Sequence, residues 1–439
     1  MTDSVRKGRK TKKPEYDLPL KKGDCLILPP LVSPNAVIET TVGEHTVLDL
    51  FCGAGGMSLG FLDAGFGIAL GIDHDAWACQ TYTANIPTKV QEYDLSSFES
   101  KEDLQAFLEA NGAANVTGVV GGPPCQGFSR VGRGRIRHRN RLNGHDEHLK
   151  DQRNDLYRAF VECISVVRPL FFVMENVPDL DRFLDDDGKT CLADRIEQEF
   201  KELKYKVERR ILNAEDFGVP QSRLRLFFLG VREDSGLELI WPDPEVCRIT
   251  YGRQTLRNAI GDLPAVTDGH MNRKIAYAGG ADTWLRRWYR KGMEGNEGAI
   301  FDHITRLHRQ DDKEAFKLLQ EGQKYTDLPA EYRRYQSESF KDKYRKLIWN
   351  EPSWTITAHI KRDGYRYIYP DNEHPRTISL REAARIQSFP DRWRFCGYRS
   401  NAFDQIGNAV PPLLSRAFGR VIKAQLDGRE LGDDPLVTG

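Results

Sequence analysis

The strongest constraint on the fold is a regular alternation of short apolar runs and helical stretches between residues 46 and 231. The runs predicted to be strands are 46–51, 68–72, 116–120, 171–174 and 224–231, and helices are predicted over 57–64, from 77 onward and over 155–167. Strands that alternate with helices at this spacing build a mostly parallel sheet covered on both faces. We therefore predict an α/β, doubly wound fold for this part of the chain.

The texture of the sequence changes after residue 232. Charged and aromatic residues interleave without a clear period, as in 284–291, and strands are predicted within 355–369 around a turn at Asp363 and Gly364. From 404 onward the chain becomes apolar again, which predicts a helix that returns to the first domain. The predicted organisation is a tail at 1–35, a catalytic and cofactor-binding domain at 36–232, a smaller mixed domain at 233–402 and a returning segment at 403–439.

Charge and cysteine content limit the possible function classes. Lys plus Arg and Asp plus Glu are both 64, so the balanced total gives no signal for nucleic acid, although six basic residues crowd positions 6–13. Such a tail is typically disordered, with contact to a polyanion as the alternative. No signal peptide or membrane-length run is present, which predicts a soluble, cytoplasmic protein. The eight cysteines lack metal-ligand spacing, so free thiols and no metal site are predicted.

A glycine-rich turn follows the first predicted strand. The sequence runs from Asp49 through Gly53 and Gly55 directly into a helix, a pattern that lets backbone amides approach a ligand. About twenty residues later Asp73 ends the second strand, where a carboxylate can bind ribose hydroxyls. His74, directly beside Asp73, could cover the edge of an adenosine, and Asp94 ends a further strand candidate. Together these residues favour a nucleoside-containing cofactor, with a simple tight turn as the alternative.

The stretch 121–129 reads Gly-Gly-Pro-Pro-Cys-Gln-Gly-Phe-Ser and follows another buried run. The two prolines stiffen the loop, and Cys125 lies at its tip. A thiol held at the carboxyl end of a strand suits nucleophilic catalysis. A buried structural cysteine is the alternative for this motif taken alone.

Two further motifs stand at strand ends. Glu175 follows the run 171–174, where it could hold or donate a proton in the same crevice as Cys125, or simply cap a helix. Arg223 and Arg225 alternate along the last predicted strand and so share one face. Two guanidinium groups there could hold an anion, a carbonyl group or the glutamate.

In combination these motifs resemble one family closely, the DNA (cytosine-5) methyltransferases. Six signatures occur in the family's order: Asp49-Leu50-Phe51-x-Gly53-x-Gly55-Gly56, Pro123-Pro124-Cys125-Gln126, Glu175-Asn176-Val177, Gln221-Ser222-Arg223-x-Arg225, the run 381–390 and Gly407-Asn408-Ala409-Val410-Pro411. The resemblance covers about 46 to 420, apart from a variable region between 233 and about 350.

The resemblance implies the cofactor and the site residues. S-adenosylmethionine would be bound by Phe51, Gly53, Gly55, Asp73, His74, Asp94, Leu95 and Asn408, with His74 where the family often has tryptophan. Catalysis would fall to Cys125 as the nucleophile and to Glu175, Arg223 and Arg225, which stabilise and hold the base. DNA contacts are expected from the arginine-rich stretch after the nucleophile, namely Ser129, Arg130, Arg133, Arg135 and Arg153.

It also implies a reaction and partners. We expect methyl transfer to C5 of a cytosine flipped out of double-stranded DNA, with residues 233–402 as the target-recognition domain. The chain would act as a monomer in a restriction-modification or phage-defence system, beside a restriction endonuclease that acts separately, and would not need a membrane. The alternatives are an RNA cytosine-5 methyltransferase and a catalytically silent DNA-binding regulator. A nicotinamide-dependent oxidoreductase would leave the Pro-Pro-Cys loop and the later motifs unexplained.

Overall fold

The structure is a computed structural model of the 439-residue chain, and it describes residues 44–124, 156–184, 189–293, 298–334, 343–362 and 364–432. Within these ranges the strands are β1 (Thr46–Leu50), β2 (Gly67–Asp73), β3 (Val90–Glu92), β4 (Gly118–Gly121), β5 (Phe171–Asn176), β6 (Tyr205–Asn213), β7 (Gln221–Ser222), β8 (Leu224–Arg232), β9 (Lys274–Ala276), β10 (Ala299–Phe301) and β11 (Ser353–Trp354). The predicted tail at 1–35 lies outside the described residues.

Twelve α-helices occur in the described ranges. They are α1 (Gly56–Asp63), α2 (Ala76–Asn85), α3 (Lys101–Ala110), α4 (Leu156–Val167), α5 (Leu192–Glu202), α6 (Pro244–Tyr251), α7 (Leu256–Ile260), α8 (Trp284–Arg290), α9 (Gln310–Leu318), α10 (Leu380–Ile386), α11 (Arg399–Asn408) and α12 (Pro412–Leu426). In the part of the chain that the structure describes, no helix is both long enough and apolar enough to cross a membrane.

Seven strands form one sheet in the order β3-β2-β1-β4-β5-β8-β6. All neighbouring pairs from β3 to β5 are parallel, and only β8 runs against its two neighbours, β5 and β6. One apolar cluster covers one face with residues of α1 and α12, and a second covers the other with residues of α3, α4 and α5. The predicted doubly wound, mostly parallel α/β fold is confirmed.

The predicted elements of the first domain are confirmed to within about two residues at nearly every end, because their apolar runs are fully buried. The prediction of strands within 355–369 is wrong for the described residues of that stretch. A 3₁₀ helix, Ala358–Lys361, occupies the middle of that stretch, and Ile368 makes only isolated bridges. Tyr367 explains the difference, since its hydroxyl group accepts from Thr357 N and donates to Thr355 O, which ties the backbone through a side chain in place of a strand ladder.

The predicted returning helix is confirmed as α12, and it packs directly on α1. Ser415 Oγ donates to Met57 O at 2.7 Å. The two backbones approach so closely at Gly60 that an added Cβ would lie 2.5 Å from Arg416 N and 2.6 Å from Pro412 O. The helix that follows the glycine-rich turn is therefore held in place by residues from the far end of the chain.

Residues 380–395 also pack against this turn. Trp393 is fully buried, and its Nε1 donates to Ala54 O at 3.2 Å. Arg385, also fully buried, forms ion pairs with Asp262 and Asp391 at 2.6 Å each. Arg381 donates to the carbonyl groups of Phe301, Pro390 and Trp393. The stretch 380–395, which contains the run 381–390 that the resemblance singled out, thus contacts both the glycine-rich turn and two residues of the predicted second domain, Asp262 and Phe301. The predicted domain boundaries themselves stay a prediction.

Candidate active site

The turn between β1 and α1 has the backbone shape that a ligand loop requires. Phe51 and Gly53 both adopt positive φ values, 55° and 52°, and Gly53 N donates to Asp73 Oδ2 at 2.8 Å. A Cβ added at Gly53 would have no heavy atom within 4 Å, so this backbone faces open space. Gly55, with a φ of 83°, is the N-cap residue of α1. The loop therefore presents backbone and the first turn of a helix to whatever binds there.

Asp73 ends β2 beside this turn. Its Oδ1 accepts from Asp75 N at 2.9 Å, and its Oδ2 accepts from Gly53 N, so the carboxylate is fixed at both oxygens. The side chain of His74 is 65% exposed, and its Nδ1 lies 3.4 Å from Asp73 Oδ1. This hydrogen bond to Asp73 raises the pKa of His74. An exposed ring beside a fixed carboxylate can pack against a flat group of a ligand.

Asp94 and Leu95 complete this edge of the sheet. Asp94 caps the 3₁₀ helix Leu95–Ser97 by accepting from Ser96 N and Ser96 Oγ, and these hydrogen bonds lower the pKa of Asp94. Leu95 is buried in the same apolar cluster against which Phe51 packs. Asn408 is exposed at the end of α11. The next residue, Ala409, lies beside the first turn of α1, with its Cβ 3.4 Å from a Cβ added at Gly56.

A buried polar cluster lies under the glycine-rich turn, and sequence reasoning missed it. Asp49 is 1% exposed, and its Oδ2 accepts from Ser58 Oγ at 2.6 Å. Ser58 Oγ is also 2.6 Å from the hydroxyl oxygen of Tyr82, which is fully buried. Burial raises the pKa of Asp49 to about 7. A charged residue inside the apolar strand β1 was the signal available in the sequence.

The second half of the site lies at the carboxyl end of β5. Glu175 is opposite Phe227 in the pairing of β5 and β8, so Arg225, two residues before Phe227, projects from the same face. Arg225 Nε lies 2.8 Å from Glu175 Oε1, with the two side chains 14% and 12% exposed. Burial lowers the pKa of Arg225, although Glu175 opposes that shift. The structure thus holds a nearly desolvated ion pair at the sheet edge.

Arg223 shares that face but binds elsewhere. It is 1% exposed, and its guanidinium group donates to the carbonyl groups of Ile356, Gly407 and Ala409 at 2.7, 3.2 and 3.1 Å. Burial, and next the charge of Arg225, lower its pKa. Arg223 therefore anchors the segment that carries Asn408, whereas Arg225 is the arginine that contacts Glu175.

The loop after β4 is described as far as Pro124. Cys125, Ser129, Arg130, Arg133, Arg135 and Arg153 lie outside the described residues. Gly122 adjoins the ion pair, because a Cβ added there would lie 3.1 Å from Glu175 Oε2. The last described residues before Cys125 are thus adjacent to the glutamate.

One group of potential metal ligands occurs in the described residues. Asp371, Glu373 and His374 each offer one ligand atom, all within 4.8 Å of one another. Asp371 and His374 already pair with each other, at 2.6 Å between Oδ2 and Nδ1. The prediction that the reaction needs no metal stays a prediction.

Comparison with known families decides the identity. A family model described as C-5 cytosine-specific DNA methylase matches residues 45–424, nearly the whole described chain. The chain belongs to this family. It is therefore a DNA (cytosine-5) methyltransferase, as the six motifs indicated.

Similar proteins agree with this assignment. The methylase is 33% identical over 411 residues to Type II methyltransferase M.DdeI of Desulfomicrobium norvegicum, covering 89% of this chain and 92% of the relative. It is 34% identical over 379 residues to Type II methyltransferase M1.HphI of Haemophilus parahaemolyticus, covering 86% of each.

Solved structures support the fold. The crystal structure of a proposed DNA modification methyltransferase encoded within a prophage (E. coli) matches with a TM-score of 0.68 and 25% identity, over 88% of this chain and all of that one. S. pombe Dnmt2 shares the fold at a TM-score of 0.51 and 16% identity, over 88% of this chain and 99% of that one.

Proposed function

We propose that this methylase transfers a methyl group from S-adenosylmethionine to C5 of a flipped-out cytosine in a specific double-stranded DNA sequence, through a covalent bond between Cys125 and C6. The observation that carries the proposal is the Glu175–Arg225 ion pair beside the loop that leads into Cys125. A mostly buried carboxylate and guanidinium at the carboxyl end of a central strand suit recognition of a planar, polar base.

The chemistry of cytosine assigns a task to each group. C5 is a poor nucleophile, so the thiolate of Cys125 first bonds to C6 and moves electron density to C5. Glu175 would hydrogen-bond N3 and the amino group of the base, which stabilises charge as C6 is attacked. Arg225 fixes one carboxylate oxygen of Glu175 and supplies positive charge near the base and thiolate. Once C5 carries the methyl group, a proton acceptor removes the hydrogen that remains on C5. The bond between the sulfur of Cys125 and C6 then breaks, which restores the aromatic ring and the free thiolate.

The geometry of the residues around the turn between β1 and α1 supports S-adenosylmethionine as the cofactor. The open backbone at Gly53 allows close approach, and the fixed carboxylate of Asp73 suits ribose hydroxyl groups. His74 and Phe51 would cover the adenine, and Asp94, Leu95 and Asn408 would line the rest of the site. When bound, the cofactor supplies an activated methyl group on a positively charged sulfur.

The biological setting rests on relatives. Both relatives named above are Type II methyltransferases. We infer that this methylase likewise protects the sites of a restriction-modification or phage-defence system, with a cognate endonuclease as a separate protein. Residues 233–402 would read the DNA sequence, and Ser129, Arg130, Arg133, Arg135 and Arg153 would contact the flipped-out nucleotide's strand and its phosphates.

Bisulfite sequencing tests this proposal. DNA from a methylation-free host that expresses the chain should show protected cytosines in one short sequence context, and a Cys125→Ala control should show none while still binding DNA. Protection in the Cys125→Ala strain would overturn the covalent route. Protection confined to RNA, or DNA binding without protection, would replace the proposal with an RNA methyltransferase or a silent regulator, respectively.

A further inference from the structure

Asn176, the residue after Glu175, connects the two halves of the catalytic edge through its side chain. It is 4% exposed, and its Nδ2 donates to Pro123 O at 3.2 Å. Its Oδ1 accepts from Val177 N at 2.8 Å. One buried carboxamide thus joins the end of β5 to the loop after β4, with both of its polar atoms used.

This connection lies where the sheet itself stops. The pairing of β4 with β5 ends at Gly121 and Met174. Two residues farther along each segment, the bond from Asn176 to Pro123 continues the link. Pro123 and Pro124 have no backbone N–H, so this part of the loop can be held only through its carbonyl groups. Here the donor to one of these carbonyl groups is the Asn176 side chain.

The distance between the loop after β4 and the end of β5 also determines the surroundings of Glu175. Oε1 is held by Arg225, and Oε2 faces the backbone of Gly122 closely enough that a Cβ there would lie 3.1 Å away. The carboxylate therefore fits between the arginine and the loop. A shift of the loop relative to β5 would change the group that Oε2 faces and the starting point of the segment that leads into Cys125.

We propose that Asn176 is a positioning residue for methyl transfer: its carboxamide fixes the loop that leads into Cys125 at a set distance from the Glu175 carboxylate. Asn176 acts on the reaction through these two neighbours and does not contact the base. The inference rests on the proposed function, since it concerns the same site.

Asn176→Asp isolates the bond to Pro123. The aspartate keeps the size of the side chain and an acceptor for Val177 N, but its carboxylate cannot donate to Pro123 O. We expect kcat for methyl transfer to fall roughly 10- to 100-fold, the scale on which small misplacements of reacting groups act. The KM for S-adenosylmethionine and the Kd for DNA should stay within about twofold of the wild-type values, because the residues that bind them are unchanged.

Asn85→Asp is the matched control. Asn85 Nδ2 donates to Thr81 O and Arg394 O, so it joins two segments 309 positions apart, and neither partner belongs to the Glu175–Arg225 pair or to the loop after β4. Its variant should lower the melting temperature at least as much as Asn176→Asp while leaving kcat near the wild-type value. This contrast separates a positioning role from general loss of stability.

The pH dependence supplies a readout that a purely structural role would not give. A protonated aspartic acid can donate through its O–H group, so the ratio of kcat for Asn176→Asp to wild-type kcat should rise as the pH falls. Asn176→Ala has no such donor, and its ratio should stay low and flat across the same pH range.

Three results would overturn the inference: wild-type kcat in Asn176→Asp, an equal loss in Asn85→Asp, or a loss confined to KM and Kd. If Asn176→Asp fails to fold, Gly122→Ala tests the same spacing, since its Cβ would press on Glu175 Oε2, and unchanged kcat there would refute it. If the wild-type chain methylates DNA and Asn176→Asp does so with the same kcat, only this inference fails. A wild-type chain without any methylation defeats the proposed function as well.

Discussion

The buried carboxyl group of Asp49 makes the stability of this methylase depend on pH in a way that can be calculated. Burial raises its pKa to about 7, from an ordinary value of 3.8, and the charge of Asp73 adds to the increase. Oδ2 accepts from Ser58, while Oδ1 meets no donor in the described parts of the chain. The neutral form is therefore favoured in the folded protein.

The sign and size of this pH effect on the free energy of unfolding follow from the linkage between proton binding and folding. Because the folded protein holds this proton more tightly than the unfolded chain, the stabilisation is complete below pH 3.8 and disappears as the pH rises through 7. Between pH 5 and pH 8 these two pKa values correspond to a loss of about 2.5 kcal/mol in the free energy of unfolding. Asn at position 49 cannot ionise, so Asp49→Asn should remove this part of the pH dependence.

Urea unfolding of wild type and Asp49→Asn at both pH values measures the effect. The substitution leaves an amide nitrogen without a partner, a cost of about 1–3 kcal/mol that does not depend on pH. The difference between the two proteins should therefore move by about 2.5 kcal/mol in favour of the variant from pH 5 to pH 8. A difference that is the same at both pH values would show that Asp49 does not titrate in this range and would refute the reasoning.

Three other substitutions address separate features. Gly60→Ala should lower the free energy of unfolding by about 1–3 kcal/mol, because its Cβ would meet the backbone of α12, whereas Gly280→Ala points into open space and should leave the unfolding curve unchanged. Arg223→Lys cannot reach the carbonyl groups of Ile356, Gly407 and Ala409 together, so its melting temperature should fall by several degrees; an unchanged value would contradict the anchoring role. His74→Ala removes an exposed ring and should change stability by less than about 0.5 kcal/mol while raising the Kd for S-adenosylmethionine, as calorimetric titration would show.

The sequence offered the contact between Glu175 and an arginine as one of three possibilities, beside an anion and a carbonyl group. The pairing of β5 with β8 selects the glutamate among these, because it brings the start of β8 beside the end of β5. Which arginine makes the contact was not predictable. Arg223 finds its partners at Ile356, Gly407 and Ala409, more than 130 positions away, and no local pattern encodes that pairing.

The cluster at Asp49 shows the same limit in another form. Its members come from β1, α1 and α2, and only the packing of the two helices on the strand brings Ser58 and Tyr82 to the carboxyl group. The wrong strand prediction within 355–369 has a related cause. Its β-prone residues suit a sheet, but hydrogen bonds from Tyr367 to the backbone satisfy the segment without one.

The contact between α1 and α12 has a consequence for how the protein is made. Met57 and Ser415 are 358 positions apart, so a ribosome that adds 5–20 residues per second needs roughly 20 to 70 seconds to deliver the second partner after the first. During that interval the face of α1 that α12 covers in the folded protein stays uncovered. A chain that terminates before residue 412 would never close this face, so we expect a nonsense mutation even late in the gene to yield an inactive product that is degraded.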